Sequence, residues 1–151
     1  MSLIAAASAG FLVAVLWMDL IFDSQVLRHR GADVLPESVL ASICAYYRRA
    51  TTTSRPMSYL IALVMAVLLG ALTVRFLTGD NSVWLIAVSV ALAGVPIALA
   101  LARTVPNAVR LGARSDDLRG QSRLARAVCV DHLVCLACLL GFLAVWLTIA
   151  A

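Results

Sequence analysis

Asp19, Asp23, Asp131 and His132 stand inside stretches that are otherwise apolar. A charge in hydrocarbon costs at least about 2.5 kcal/mol unless it is paired, hydrated or used. These residues therefore carry the main hint of chemistry in the chain. Asp19 and Asp23 are four apart and share one face of a helix. At about 1.5 Å per residue, Asp23 lies roughly 7 Å and Asp19 roughly 13 Å from Arg28, while Asp131 and His132 lie roughly 8–9 Å past Arg126. The groups thus reach a similar depth on two different segments.

Three chemistries suit such a set. Carboxylates and a neutral imidazole ligate divalent first-row metals. A desolvated carboxylate can relay protons. The same groups can serve as acid and base on a lipophilic substrate. No HExxH, P-loop or GxSxG motif selects among these, so a site without a cofactor and a divalent metal held by Asp19, Asp23 and His132 both stay open. Structural readings stand beside them. Asp23 is explained by pairing with a loop arginine at the water boundary, Asp131 by Arg126 or Arg103, and His132 by a satisfied interior position. Asp19, the deeper carboxylate, is the hardest to explain by pairing alone. Asp19 and His132 are accordingly the candidate catalytic residues. Asp23, Asp131, Arg103, Asn107, Tyr47 and Arg48 are the candidate binding residues, because Arg103 and Asn107 follow the third apolar run and Tyr47 and Arg48 can cap the chamber from the first loop.

The elements that must position these groups are long apolar runs. The chain has 151 residues, 63% of them hydrophobic, with a mean hydropathy of +0.99, more apolar than a soluble domain needs. About 20 apolar residues cross a bilayer as a helix. Four runs reach that length: 3–22, 57–77, 82–102 and 127–149. Their continuity argues for helices rather than alternating barrel strands. The expected fold is all-α, one integral membrane domain over 1–151 built as a four-helix bundle. The first run lacks a preceding basic residue and is too long for a signal peptide.

Charge sets the orientation. All 12 basic residues are Arg. Five lie between runs one and two and six between Arg103 and Arg126, while only Arg75 lies near the short connection between runs two and three. The positive-inside rule places both arginine-rich segments in the cytoplasm and both termini outside. Trp84 and Trp146 then fall at the outer interface as an aromatic belt. This placement of arginine, with no basic stripe interleaved with aromatics, argues against nucleic acid as a partner. The expected partners are the lipid bilayer and a small lipophilic ligand. Ala5, Ala6, Ala7, Ala9 and Gly10 favour close helix packing, within the chain or between copies of a homo-oligomer.

The first loop carries its own element. Pro36 suits a helix start and Glu37 complements the dipole. Val39, Leu40, Ile43, Tyr46 and Tyr47 follow at helical spacing, which predicts a short amphipathic helix over Pro36–Arg49, either lying in the interface or packed on the end of the bundle. The second loop holds Pro106-Asn107 and then a polar tip at 112–117, which reads as mobile. Gly94 and Pro96 predict a kink in the third helix. Cys135 and Cys138 have CxxC spacing but sit inside an apolar helix, where adjacent turns do not readily close a disulfide. With few polar groups in the outer half (Ser8, Thr73, Arg75, Ser89), transport of protons or metal ions ranks behind binding or transformation of a lipophilic molecule; a structural subunit of a membrane complex is the other alternative.

Two stretches resemble a known family. They are Trp17-Met18-Asp19-Leu20-Ile21-Phe22-Asp23, and the segment from Arg103-Thr104-Val105-Pro106-Asn107 to Arg126-Ala127-Val128-Cys129-Val130-Asp131-His132. A Pro-Asn turn after the third helix and a His early in the fourth look like the anthrone-oxygenase-like family of small four-helix bacterial membrane proteins. The resemblance covers the second half of the chain. That family often carries Trp four before the His and Arg three after it, where this chain has Val128 and Cys135. The resemblance implies a cofactor-free oxygenase role and carries over Asn107 and His132.

Overall fold

The computed structural model describes residues 2–79 and 82–150. Among them there is no strand. Six α-helices follow in order: α1 (Ser2–Asp23), α2 (Glu37–Arg48), α3 (Arg55–Thr78), α4 (Val83–Leu99), α5 (Val105–Ala113) and α6 (Leu118–Ala150). Four helical stretches are long and apolar enough to cross a membrane: Leu3–His29, Pro56–Thr78, Val83–Ala113 and Leu118–Thr148. Much of their surface is exposed and still apolar. Leu63, Phe76, Leu77, Val83, Val90 and Leu101 all face outward, which water would penalise and lipid would not. The fold is that of a multi-pass membrane protein.

The long helices touch in a closed ring, α1 against α3 and α6, and α4 against α3 and α6. Ala5 and Ala9, fully buried, let the neighbours of α1 approach closely. The stripe of small residues in α1 therefore serves packing inside the chain at these two positions. Two apolar cores result. One, near the termini and the α3–α4 turn, gathers Leu68, Leu72, Ala93, Leu139, Phe142 and Trp146. The other, at the arginine-rich end, gathers Leu20, Val26, Leu40, Ile43, Leu111 and Val128. Asp19 falls between Leu12 of the first core and Leu20 of the second on α1, and Asp131 and His132 between Val128 of the second and Leu139 of the first on α6.

Trp84 is exposed, as a belt residue would be. Trp146 is not: it is 2% exposed, donates Nε1–H to Ser89 Oγ at 3.0 Å, and has the Arg75 guanidinium 4.9 Å from its ring centroid. An indole inside the chain needs a partner for its N–H, and Ser89 supplies it.

The second loop is shorter than its composition suggests. α5 extends the third apolar run, α6 begins nine residues ahead of the fourth, and only Arg114–Asp117 turns. The turn has its own chemistry. Arg114 ends α5 in the left-handed region at φ 51°, and Asp117 caps α6 by accepting the Gly120 N–H at 2.8 Å. Arg110 pairs with Asp116 at 2.5 Å and Arg114 with Glu37 at 2.7 Å, so the turn is tied to α5 and α2. The helix of the first loop begins where Pro36 and Glu37 place it. It buries Leu40, Ile43, Cys44 and Tyr47 and packs chiefly on α5. Gly112 makes that contact: a Cβ there would meet Arg48 N at 2.8 Å and Tyr47 C at 2.9 Å.

Candidate functional site

α1, α2 and α6 converge on one imidazole. His132, on α6, has its Nδ1 2.7 Å from Asp23 Oδ2. A carboxylate accepts and does not donate, so the proton of this bond sits on Nδ1. The other ring nitrogen, Nε2, faces Asp19 Oδ2 at 3.9 Å, beyond direct hydrogen-bond range. Asp19 and Asp23 therefore flank one ring, each on its own side. Asp23 is wholly buried, while the Asp19 side chain is 17% exposed.

α2 completes both carboxylates. The Tyr47 hydroxyl lies 2.8 Å from each oxygen of Asp23 and shares its single proton between them. The Tyr46 hydroxyl donates to Asp19 Oδ1. Burial, and then the adjacent carboxylates, push both phenols well above their ordinary range, which keeps them protonated donors. Phe22 stacks on Tyr46 with ring centroids 4.2 Å apart. Adjacent residues on a helix diverge by about 100°, so two neighbouring tyrosines can reach two separate carboxylates. Their burial beside the site follows from the helical pattern of the first loop. The role of Tyr46 does not, because its spacing reads equally well as part of an apolar face.

Asp131 is held differently. Its carboxylate, 3% exposed, pairs with Arg103 Nη2 at 3.1 Å, and the Thr104 hydroxyl lies 3.4 Å from the other oxygen. Arg103 and Thr104 belong to a wide π turn, Ala100–Thr104, in which Val105 N–H reaches the carbonyl of Ala100. Pro106 comes next and has no N–H for the carbonyl of Ala102. The extra residue rotates α5 relative to α4, and such turns recur at functional sites. Pro96, expected to bend this helix, lies one turn earlier inside α4.

The remaining candidates fall outside this cluster. Asn107 is half-buried on the first turn of α5, and Arg48 is exposed, contributing its backbone to the Gly112 contact. Arg126, considered as a partner for Asp131, instead donates to the backbone carbonyls of His29, Ala32 and Asp33. It thereby caps the end of the first span, where a cation suits the carbonyl end of the helix.

A cavity of about 150 Å³ adjoins the cluster. Its walls are apolar, with Leu12, Leu16, Met65, Pro96, Ile97 and Leu139 among them, and its polar members are Asp19, Thr104, His132 and the Cys135 thiol. The four cysteines are free thiols. Among the described residues no three His, Cys, Asp or Glu side chains are grouped as ligands of one metal ion. The geometry explains why: Asp19 and Asp23 address opposite nitrogens of the same ring, so His132 cannot share one ion with both.

What the arrangement can do is acid–base chemistry at the end of an apolar chamber. Asp23 orients His132 and stabilises its charged form, leaving Nε2 directed at Asp19, as in the general logic of a carboxylate-oriented histidine base. Comparison with protein-family models, with characterised proteins and with solved structures produced no match.

Proposed function

We propose that this protein is an integral membrane four-helix bundle that binds, and by acid–base catalysis transforms, a small lipophilic molecule. The observation that carries the reading is the placement of Asp19 and His132 at the polar end of an otherwise apolar cavity. Ligand sites combine apolar walls with a few convergent polar groups. A cavity near 150 Å³ holds a molecule about the size of benzene, so a single ring or a short branched chain is the moiety admitted. A hydroxyl or enolisable carbonyl on that moiety would enter the 3.9 Å gap between Asp19 Oδ2 and His132 Nε2. Nε2 takes the proton, Asp23 steadies the resulting imidazolium, and Asp19 with Tyr46 serves as the second acid or base.

In this reading the arginine-rich end is cytoplasmic, both termini are outside, and α2 lies at the interface with its buried face closing the chamber. Transport fits less well. A path across the other leaflet would have to pass the core of Leu68, Leu72, Phe142 and Trp146, where Ser89 is occupied by Trp146.

The test is ligand-induced thermal stabilisation in mild detergent, using a panel of small aromatic and branched-chain alcohols, ketones and amines. Wild type should be stabilised by a subset that Asp19→Asn and the cavity-filling Ala93→Phe no longer recognise. Undiminished stabilisation in both variants would refute the assignment. Metal content and an absorption spectrum, wild type against His132→Ala, check the cofactor-free form of the proposal.

A further inference from the structure

A second cavity of about 270 Å³ lies between the end of the first span and α6 and shares no lining residue with the Asp–His chamber. Val26 and Cys129, both buried, form its floor, Val130 and Leu133 its more exposed wall, and Arg30 and Arg126 its charged end. Neither arginine is in an ion pair among the described residues. The guanidinium of Arg126 is already fixed by the carbonyls of His29, Ala32 and Asp33, so its position costs no ordering on binding. Leu133 is two turns beyond Arg126 on α6, about 10 Å along the axis. The groove therefore runs from two cations at one end to apolar walls at the other.

We propose that this groove binds an anionic phospholipid, the phosphate between Arg30 and Arg126 and the first part of an acyl chain along Val130 and Leu133. The shape asks for an amphiphile, and the unpaired arginines ask for net negative charge. Basic pockets between spanning helices on the cytoplasmic side are suited to such headgroups. The proposal rests on the membrane-spanning reading but is independent of the Asp–His site.

The test is native mass spectrometry of delipidated full-length protein in detergent, offered equal amounts of palmitoyl-oleoyl phosphatidylglycerol and phosphatidylcholine. Each arginine near an anionic headgroup is worth about fivefold in binding. Wild type should retain phosphatidylglycerol at least fivefold over phosphatidylcholine. Arg30→Gln, at an exposed position, should lose about fivefold of that preference, Arg30→Lys should restore most of it, and Val130→Trp should reduce retention of both lipids. Asp19→Asn should leave the preference intact, which separates this result from the fate of the Asp–His proposal. Equal retention of the two lipids by wild type would overturn it, as would a preference indifferent to Arg30→Gln. So would displacement of phosphatidylglycerol by millimolar inorganic phosphate, which would mark a free-anion site, or a lipid-free dimer dissociated by Val130→Trp.

Discussion

The two tyrosines of α2 make similar bonds in dissimilar surroundings, and substituting each by Phe separates their contributions. Tyr47 and Asp23 are 3% and 0% exposed, and the hydroxyl is 2.8 Å from both carboxylate oxygens. A hydrogen bond to a charged group is worth about 1.5–3 kcal/mol, and a buried acceptor deprived of its donor gains no water in return. Tyr47→Phe should cost about 2 kcal/mol, a factor of about 30 in the unfolding equilibrium. The Asp19 side chain is 17% exposed and adjoins a cavity, so water can replace the lost donor and Tyr46→Phe should cost under about 1 kcal/mol. Asp23→Asn keeps the shape and removes the charge. In that background Tyr47→Phe should cost about 1 kcal/mol less than in wild type, a coupling within the range of contacting pairs. The assay is reversible unfolding in mixed micelles of rising SDS content, followed by tryptophan fluorescence. If Tyr47→Phe lies within about 0.5 kcal/mol of wild type, or the two substitutions prove additive, the Tyr47–Asp23–His132 network does not hold the chamber together.

Other single contacts lead to further expected outcomes. Gly112→Ala should cost about 1–3 kcal/mol by overpacking against the Tyr47–Arg48 backbone, read as a lower unfolding midpoint. Arg103→Gln leaves a nearly buried Asp131 with Thr104 alone; because Arg103 is 55% exposed, the expected cost is about 1–2 kcal/mol rather than the full cost of breaking a buried pair. Trp146→Phe gives up the bond to Ser89 and should lower stability by about 1 kcal/mol without changing ligand recognition. Burial raises the Cys44 thiol above its ordinary range. Its thiolate is scarce below that range, so maleimide labelling of folded protein should be slow at neutral pH, accelerate as pH rises, and become rapid on unfolding.

The spans were readable because hydrocarbon imposes length and composition directly, and the shared depth of Asp19, Asp23 and His132 was readable because helical rise is constant. Rotation about each helix axis was not. That Asp19 and Asp23 would take opposite sides of one ring depends on how α1 faces α6, which depth alone leaves open. The pairing of Asp131 with Arg103 rather than Arg126 depends on the π turn before Pro106, a backbone irregularity that apolar periodicity does not announce. Tyr46 was hidden for a related reason: an amphiphilic residue satisfies an apolar pattern and a polar site equally well. The tip of the second loop was read as mobile from its polarity, yet Asp116 pairs with Arg110, Arg114 pairs with Glu37 of α2, and Asp117 accepts the Gly120 N–H.

α6 has 33 residues, about 50 Å of straight rod, against a hydrocarbon slab of about 30 Å. Such a rod acts as a ruler. In the proposed membrane placement its arginine-bearing first turns would fix one end at the headgroup plane, with His132 rigidly spaced from them. A thinner bilayer is met by tilting the rod, a thicker one by straightening it. Where such a motion is not shared by the whole bundle, it would bear on the α1–α6 contact at the level of the imidazole, where Nε2 and Asp19 stand just beyond hydrogen-bonding distance. If the chamber works as proposed, bilayer thickness would be a mechanical input to it, and the lipid composition of the host membrane a variable in its chemistry.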